Sequence, residues 1–153
     1  MISDLRTQLF RIWFRIARPM TLGVRAIVEN AEGQVLLVRH TYTPGLYLPG
    51  GGVERGETVR VSLHRELEEE GGILITGATA LIGIFSNHRV MRNDHVVLYK
   101  IDASAWRSIR DPRGLEISDI LWCDPFSPPE DATPATQRRL KEHYGGAELS
   151  DDW

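Results

Sequence analysis

Three glutamates at helical spacing are the residues best placed to do chemistry in this chain. Glu66, Glu69 and Glu70 lie in a segment, residues 57–70, that lacks Gly and Pro and is followed by two glycines, which predicts a helix. Offsets of three and four residues place the three carboxylates on one helix face. Like charges this close repel one another, so the face favours a cation, and carboxylate oxygens suit Mg²⁺ or Mn²⁺ better than zinc. A glutamate-rich run by itself, however, is more often a solvated helix face.

The elements around this helix must hold the glutamates in place. Val59, Leu63 and Leu67 form an apolar stripe that would pack the helix against a sheet, so that a rigid element positions the carboxylates. Residues 49–52, Pro-Gly-Gly-Gly, precede the helix and predict a loop in which the backbone can approach a ligand closely. No Lys-Ser or Lys-Thr follows at the spacing of a Walker-type phosphate loop, which excludes that interpretation.

The remaining pattern predicts one α/β unit. We expect an amphipathic helix at residues 3–17, a β-hairpin made of residues 21–28 and 34–40, and a short strand at 46–48. Further strands are predicted at residues 73–85, 95–101 and 116–122, with a polar loop at 86–94, and a closing helix at 133–144. The predicted division is an N-terminal helix at residues 1–20, a domain at 21–145 and a loose C-terminal tail at 146–153.

Composition limits the class of protein. A chain of 153 residues with 42% hydrophobic and 25% charged residues is typical of a single folded domain. A net charge of −3 supplies no general attraction for DNA or anionic membranes, which favours a small-molecule partner. The single cysteine, Cys123, excludes an internal disulfide and a cysteine zinc cluster, and it is consistent with a cytoplasmic location.

The N-terminal helix has no obvious place in this scheme. Its apolar residues are interrupted by charges, which excludes a secretory signal and a membrane span. We expect the helix to pack on or beside its own domain without stable membrane association, and a homodimer contact is the second interpretation. The apolar residues at helical spacing are Leu5, Leu9, Ile12, Trp13 and Ile16, with Arg6, Arg11 and Arg15 between them.

The central stretch, residues 51–73, resembles the Nudix box, G-x5-E-x7-R-E-U-x-E-E-x-G-U, in which U is aliphatic. The match has no gap, and at ordinary residue frequencies its chance occurrence is on the order of 10⁻⁷. The matching residues are Gly51, Glu57, Arg65, Glu66, Leu67, Glu69, Glu70, Gly72 and Ile73.

The resemblance implies the fold and the chemistry. It implies an α/β/α sandwich with a mixed sheet over about residues 21–144, with the N-terminal helix as an addition. It also implies a divalent metal ion, Mg²⁺ or Mn²⁺, held by Glu66, Glu69 and Glu70 together with the backbone carbonyl of Gly51. Such an ion orients a diphosphate and activates a water for attack on phosphorus.

Other side chains would assist the reaction. Arg65 would pair with a carboxylate, and Glu57 is the candidate that would fix the preceding loop against the helix. The proton of the attacking water could go to Glu66, to Glu69 or to a carboxylate from a later loop. Glu116 and Asp111 are the candidates for that later carboxylate.

The substrate pocket is less visible in the sequence. Arg39 and Tyr47 precede the box, and Arg89 and Arg92 lie in the loop at 86–94, so these four could line a pocket by stacking on a base or meeting phosphate. Each could equally be an ordinary core or surface residue. The residues by which family members mark ADP-ribose, diadenosine polyphosphates, coenzyme A or NADH are missing downstream.

The sequence therefore predicts a Mg²⁺-dependent pyrophosphohydrolase that cleaves a diphosphate linkage in a small nucleoside diphosphate derivative. Two alternatives stay open: a nucleotide-binding sensor without turnover, and a hydrolase of RNA 5′ ends. Isomerase chemistry on a diphosphate ester would need a cysteine in the pocket, and Cys123 is predicted to lie buried in a strand.

Overall fold

A mixed four-stranded sheet is the centre of the fold. The computed structural model describes residues 2–153, with the side chains of residues 2–6 and 15 outside the described part. In chain order the elements are α1 (Ile2–Ala17), β1 (Thr21–Val28), β2 (Val35–His40), β3 (Gly50–Gly52), α2 (Val59–Gly71), β4 (Ile73–Ile75), β5 (Ala80–Ser86), β6 (Asp94–Ile101), a 3₁₀ turn (Ala103–Ala105), β7 (Trp106–Ser108), β8 (Ile117–Cys123) and α3 (Pro134–Gly145).

The central sheet has the strand order β3-β1-β6-β5. Strands β1 and β6 run parallel, whereas β3 pairs antiparallel with β1 and β5 pairs antiparallel with β6. Two antiparallel pairs, β2 with β8 and β4 with β7, complete the strands. The mixed sheet of the predicted fold class is thus confirmed.

Both faces of the central sheet are buried, because side chains alternate along a strand. On one face Val24 and Val97 pack with Leu63 and Leu67 of α2 in one apolar cluster. On the other face Leu98 packs with Leu140 of α3 in a second cluster. Helices α2 and α3 therefore cover opposite faces, as the predicted sandwich requires.

The predicted hairpin of β1 and β2 is wrong. The predicted turn is present, and Asn30 Oδ1 accepts hydrogen bonds from the backbone N–H groups of Glu32 and Gln34. Beyond a single bridge between Glu29 and Val35, however, the strands part, and β2 pairs with β8. Turn residues specify that the chain reverses but not which partner each strand takes afterwards.

Three other predictions for strands need correction. Residues 50–52, expected as a loop, form strand β3, because glycine backbone can pair closely with β1. Residues 46–48 make only isolated bridges, Leu46 with Ala132 and Val38 with Tyr47. The strand predicted at 73–85 is divided into β4 and β5, and β7 pairs with β4 although no strand was predicted there.

Helices α2 and α3 follow the sequence signals closely. Thr58 caps α2 by accepting a hydrogen bond from Val61 N at 3.2 Å, so the helix begins two residues later than expected. Gly72 ends α2 in the left-handed conformation, with φ 62°, and a Cβ there would lie 2.1 Å from the carbonyl oxygen of Arg110. Thr133 caps α3 in the same way, with Pro134 in its first turn.

Helix α1 is present as predicted, but the domain does not cover its apolar side chains. The exposed fractions of Leu9, Trp13 and Ile16 are 58, 57 and 74%. The expected position of the helix on or beside the domain stays a prediction. The predicted positions of Leu5, Arg6 and Arg15 on this helix lie outside the described side chains. No helix in the described part of the chain is both long and apolar enough to cross a membrane.

The C-terminal residues are not a loose tail. Ser86 N donates to the carbonyl of Asp151, and Trp153 N donates back to the carbonyl of Ser86, both at 2.8 Å. Arg139 is buried and donates to the carbonyl of Asp152. Its Cζ lies 5.6 Å from the ring centre of Trp153 and 3.8 Å from the ring centre of Phe85. These contacts tie the segment to α3 and β5, and the domain limits at residues 20 and 145 stay a prediction.

This docking can be tested with Trp153→Ala. Loss of the ring uncovers Arg139 and Phe85, so we expect the free energy of unfolding in urea to fall by about 1–2 kcal/mol. The matched control is Leu149→Ala in the same segment, where the side chain is 51% exposed and an effect below about 0.5 kcal/mol is expected. Equal unfolding midpoints for the two variants would contradict the docked arrangement.

Candidate active site

One guanidinium organises the face of α2 that carries the predicted site. Arg65 donates from Nε and Nη2 to the two carboxylate oxygens of Glu57, at 2.8 and 2.9 Å. Its Nη1 donates to Glu66 at 2.7 Å and to Glu69 at 3.3 Å, and its Nη2 also donates to the carbonyl of Gly52 at 3.0 Å. The loop, strand β3 and helix α2 are therefore joined through this side chain, and the pairing of Arg65 with Glu57 is the one named from the sequence.

Glu57 is held as an anion by its neighbours. The hydrogen bonds from Arg65, together with that from the Ser62 hydroxyl, lower the pKa of Glu57 to about 2. In return, the same contact raises the pKa of Arg65 above its ordinary value. The pair thus stays fully ionised throughout the neutral range.

Glu66 lies against the glycine strand. Its carboxylate is so close to Gly51 that a Cβ at that position would lie 2.5 Å from the carboxylate atoms, so a larger residue there would displace Glu66. Burial raises the pKa of Glu66, while Arg65 acts in the opposite direction. A buried anion of this kind gains from additional positive charge.

Glu70 lies one turn further along α2 and points to a different set of donors. Its Oε1 is 2.7 Å from Nε2 of His40, and its Oε2 accepts from the backbone N–H of Gly50 at 3.0 Å. Arg25 Nη1 lies 3.8 Å from Oε2. Since an ionised carboxylate only accepts, this geometry requires the proton of His40 on Nε2.

The donor set has the chemistry that a hard divalent cation prefers. Glu66 and Glu69 approach the same Arg65 nitrogen at 2.7 and 3.3 Å, so their contacting oxygens lie no more than about 6 Å apart. Among the described residues, no three acidic, histidine or cysteine side chains already converge as a metal site, because Glu70 is turned towards His40. The carboxylates are ligands of the type that such an ion prefers, and those of Glu66 and Glu69 lie close together. Which residues bind the ion stays a prediction.

An open cleft of about 1630 Å³ lies over these carboxylates. Glu66, Glu69 and Glu70 are on one side, and basic and aromatic side chains are on the others. The residues that matter for the chemistry below are Arg25, Tyr42, Tyr47, Arg55, Arg89, Glu116 and Arg138.

The structure separates the four predicted substrate-binding residues. Tyr47 and Arg89 line the cleft, although Arg89 also pairs with Asp152 at 2.7 Å. Arg92 is not among the residues that line the cleft and belongs to a smaller cavity beside it. Arg39 is not among the residues that line the cleft, and it pairs with Asp131 at 2.6 Å.

The two candidates for a later general base are also separated. Glu116 lines the cleft and is exposed. Asp111 lies outside the cleft lining and pairs with Arg113 at 2.6 Å, a contact that lowers the pKa of Asp111 to about 2. Asp111 is therefore no longer a candidate, because such a weak base takes up a proton poorly at neutral pH.

Sequence reasoning assigned no role to some residues at the site. His40, which was considered with Tyr42 and Tyr47 as a residue that could line a pocket, lies buried beside the rings of both tyrosines, each 5.1 Å away, and holds Glu70. Arg25 was missed altogether. The sequence feature that could have revealed it is a single charged residue within the apolar strand β1. A charge that faces inward from a buried strand needs a partner, and such a residue therefore points to a polar site.

Comparison with known proteins identifies the family. The sequence profile of the NUDIX domain matches residues 19–144, which include β1 to β8 and both helices of the sandwich. The chain belongs to the NUDIX family. Within it, this NUDIX protein is a MutT-like hydrolase that acts on phosphorus-containing anhydrides.

Relatives of this NUDIX protein carry different substrate names. One relative is a protein of Bacillus subtilis (strain 168) that is provisionally named an 8-oxo-dGTP diphosphatase. The two sequences are 29% identical over 128 residues, and this alignment covers 84% of this chain and 83% of the relative. This chain is 34% identical over 87 residues to the ADP-ribose pyrophosphatase of Methanocaldococcus jannaschii, which covers 55% of this chain and 50% of the relative. The crystal structure of a MutT NUDIX hydrolase from Burkholderia pseudomallei matches with a TM-score of 0.65 and 26% identity, over 79% of this chain and 95% of that one.

The Arg65–Glu57 contact makes a prediction about pH. Because the pKa of Glu57 is lowered from 4.5 to about 2 on folding, its stabilising effect is full above pH 4.5 and is lost as the pH falls through 2. We expect Glu57→Gln to unfold at lower urea concentration than the parent at neutral pH, and this difference to shrink between pH 4.5 and pH 2. Glu54→Gln is the matched control, since the Glu54 side chain forms no ion pair with a described residue. A difference that stays constant over this range would contradict the assignment.

Proposed function

We propose that this NUDIX hydrolase is a Mg²⁺-dependent pyrophosphohydrolase that cleaves a diphosphate linkage in a small nucleoside diphosphate derivative, with Mn²⁺ as a possible substitute. The observation that carries the proposal is the cleft itself. Three glutamates of one helix face and several arginines line it together, in a space large enough for a nucleotide.

The charges in the cleft fit a diphosphate bound through a cation. Arg25, Arg55, Arg89 and Arg138 line the cleft and can donate to phosphate oxygens. The glutamates on α2 would repel the same phosphates. A divalent cation between carboxylates and phosphates removes this conflict, which arginines alone cannot do.

Glu66, Glu69 and Glu70 would hold such an ion, with the backbone carbonyl of Gly51. When bound, it would neutralise the diphosphate and lower the pKa of a coordinated water. Glu66 and Glu69 stay candidates for the general base.

The chain's own residues position these groups. Arg65 fixes Glu66 and Glu69 relative to strand β3, because it also holds the carbonyl of Gly52. His40 and the N–H of Gly50 fix Glu70. Tyr42 and Tyr47 offer aromatic surface on which a base can stack.

One specific observation favours a second candidate, a pyrophosphohydrolase of RNA 5′ ends. A cavity of about 560 Å³ lined by Arg18, Arg55 and Arg92 adjoins the cleft and could take further phosphates of a longer chain. An RNA pyrophosphohydrolase of Coxiella burnetii is 30% identical over 97 residues, 63% of this chain and 34% of that protein. A steep loss of binding with added salt would favour RNA over a small nucleotide.

We also propose a cytoplasmic location, on the ground that a chain with one cysteine has no internal disulfide to form. The sensor alternative has no observation in its favour, since all three box glutamates line the cleft.

The metal assignment is tested by Glu69→Gln. Removing one ligand charge at an exposed position should lower kcat by about 10² or more without changing the fold. Turnover would be followed by phosphate release with Mg²⁺ on nucleoside triphosphates, nucleotide sugars, dinucleoside polyphosphates, ADP-ribose and RNA with a 5′ triphosphate. Glu68→Gln is the matched control, because it makes the same change on the neighbouring residue, which does not line the cleft. Near-full activity of Glu69→Gln would overturn the assignment.

The general base is tested separately with Glu116→Gln and Asp111→Asn. If Glu116 takes the proton, its amide variant should lose about 10² or more in kcat, with little change in KM. Asp111→Asn should stay close to the parent, because the carboxylate is bound to Arg113 outside the cleft. Equal, small effects in both variants would leave the proton transfer to Glu66 or Glu69.

A further inference from the structure

Helix α1 presents a broad apolar surface that no other part of the domain covers. Its large apolar side chains have exposed fractions between 42 and 74%: Leu9, Phe10, Ile12, Trp13, Phe14 and Ile16. At 100° per residue, the arc from Ile12 to Phe14 across this face spans about 200° of the helix. The contact stripe of a coiled-coil dimer is narrower than this. The width of the apolar face therefore favours a partner that contacts about half of the helix circumference.

The charge of this segment is opposite to that of the rest of the chain. Residues 1–20 contain four arginines and one aspartate, a net charge of +3. The remaining residues contain fourteen basic and twenty acidic side chains, a net charge of −6. Among the described side chains of α1, Arg11 is exposed and falls on the face opposite Ile12 and Trp13.

The basic surface continues beyond α1. Arg18, just after the helix, shares the cavity of about 560 Å³ with Arg55 and Arg92, and none of the three forms an ion pair with a described residue. Exposed apolar side chains lie at the edge of the neighbouring cleft, with Met20 66%, Val90 86% and Met91 48% exposed. Cationic and apolar groups are therefore adjacent at one end of α1.

We propose that α1 binds flat on the surface of a bilayer that contains anionic lipids. Its apolar face lies at the level of the upper acyl chains, and Arg11, Arg18, Arg55 and Arg92 meet the headgroup phosphates. Aromatic residues on one face with a cationic residue, here Arg11, opposite Trp13 are typical of interfacial binding, and each arginine near an anionic surface adds to the affinity. A second copy of α1 is a poorer occupant, because it would bring two segments of net charge +3 together.

This inference replaces the expectation of no stable membrane association, which assumed that the apolar face was packed on the domain. It does not rest on the proposed reaction, although Arg55 lines both the cleft and the smaller cavity.

The test is flotation of the full chain with vesicles of phosphatidylcholine alone, or of equal parts phosphatidylcholine and phosphatidylglycerol. We expect the chain to float with the anionic vesicles, and to float less at high salt. Trp13→Glu should weaken partitioning to them about tenfold, because a charge would enter the apolar face. Arg11→Glu should weaken it severalfold on the anionic vesicles. Leu115→Glu is the matched control, an apolar-to-acidic change at a loop position that is 96% exposed, and it should float like the parent.

The outcomes separate the possible occupants. Light scattering on the same variants would report the oligomeric state, and circular dichroism would verify that each variant is folded. Failure of the parent to float with anionic vesicles, or equal flotation of the parent and Trp13→Glu, overturns the proposal. A parent dimer that does not float and that Trp13→Glu converts to a monomer identifies a second copy as the occupant instead.

Discussion

The site depends on the contacts of one guanidinium, Arg65, with three carboxylates. Glu57, Glu66 and Glu69 all contact this guanidinium, within 3.3 Å. Two like charges about 4 Å apart repel by about 4 kcal/mol at the effective dielectric of a protein surface, so the group could not assemble without an internal cation. A lysine would not replace it, because only the planar fork of arginine can bind Glu57 with two parallel hydrogen bonds and still reach Glu66 and the carbonyl of Gly52. The loop, the strand and the helix are consequently one rigid unit.

The glycines of β3 follow from the same arrangement. Glu66 occupies the space where a side chain of residue 51 would lie, and a Cβ on Gly50 would lie 2.0 Å from the carbonyl oxygen of Val24. With φ 140°, Gly50 also has a backbone conformation that other residues rarely adopt. The short strand can therefore pair with β1 and still bring its N–H and C=O groups to α2. Close approach, to the backbone of β1 at Gly50 and to the carboxylate of Glu66 at Gly51, accounts for the first two of the three glycines, whereas a Cβ on Gly52 would meet nothing within 4 Å.

Sequence patterns predicted the elements better than their partners. Helix α2 and its glutamates were visible because a helix keeps its spacing whatever surrounds it, and Thr58 and Gly72 mark its ends. The sheets could not be derived, since the residues of β1 and β2 say nothing about β6 and β8, which lie far along the chain. The same limit applies to Arg39 and His40. The register of β2 against β8 shifts between these two residues, an irregularity that the sequence does not reveal, and their side chains have different partners, Asp131 for Arg39 and Glu70 for His40.

An amphipathic pattern likewise shows that a helix has an apolar face without showing what covers it. In α1 the apolar side chains are exposed, although α2 and α3 pack on the two faces of the central sheet. This has a consequence for the substrate. Arg18, Arg55 and Arg92 are the groups that would meet either lipid headgroups or the distal phosphates of an RNA. A small nucleotide in the main cleft would use mainly Arg25, Arg89 and Arg138. Membrane binding and hydrolysis of RNA ends would therefore compete for the same arginines. Hydrolysis of a small nucleotide, in contrast, is compatible with a bound bilayer. If α1 binds a bilayer as proposed, the small substrate is favoured over RNA.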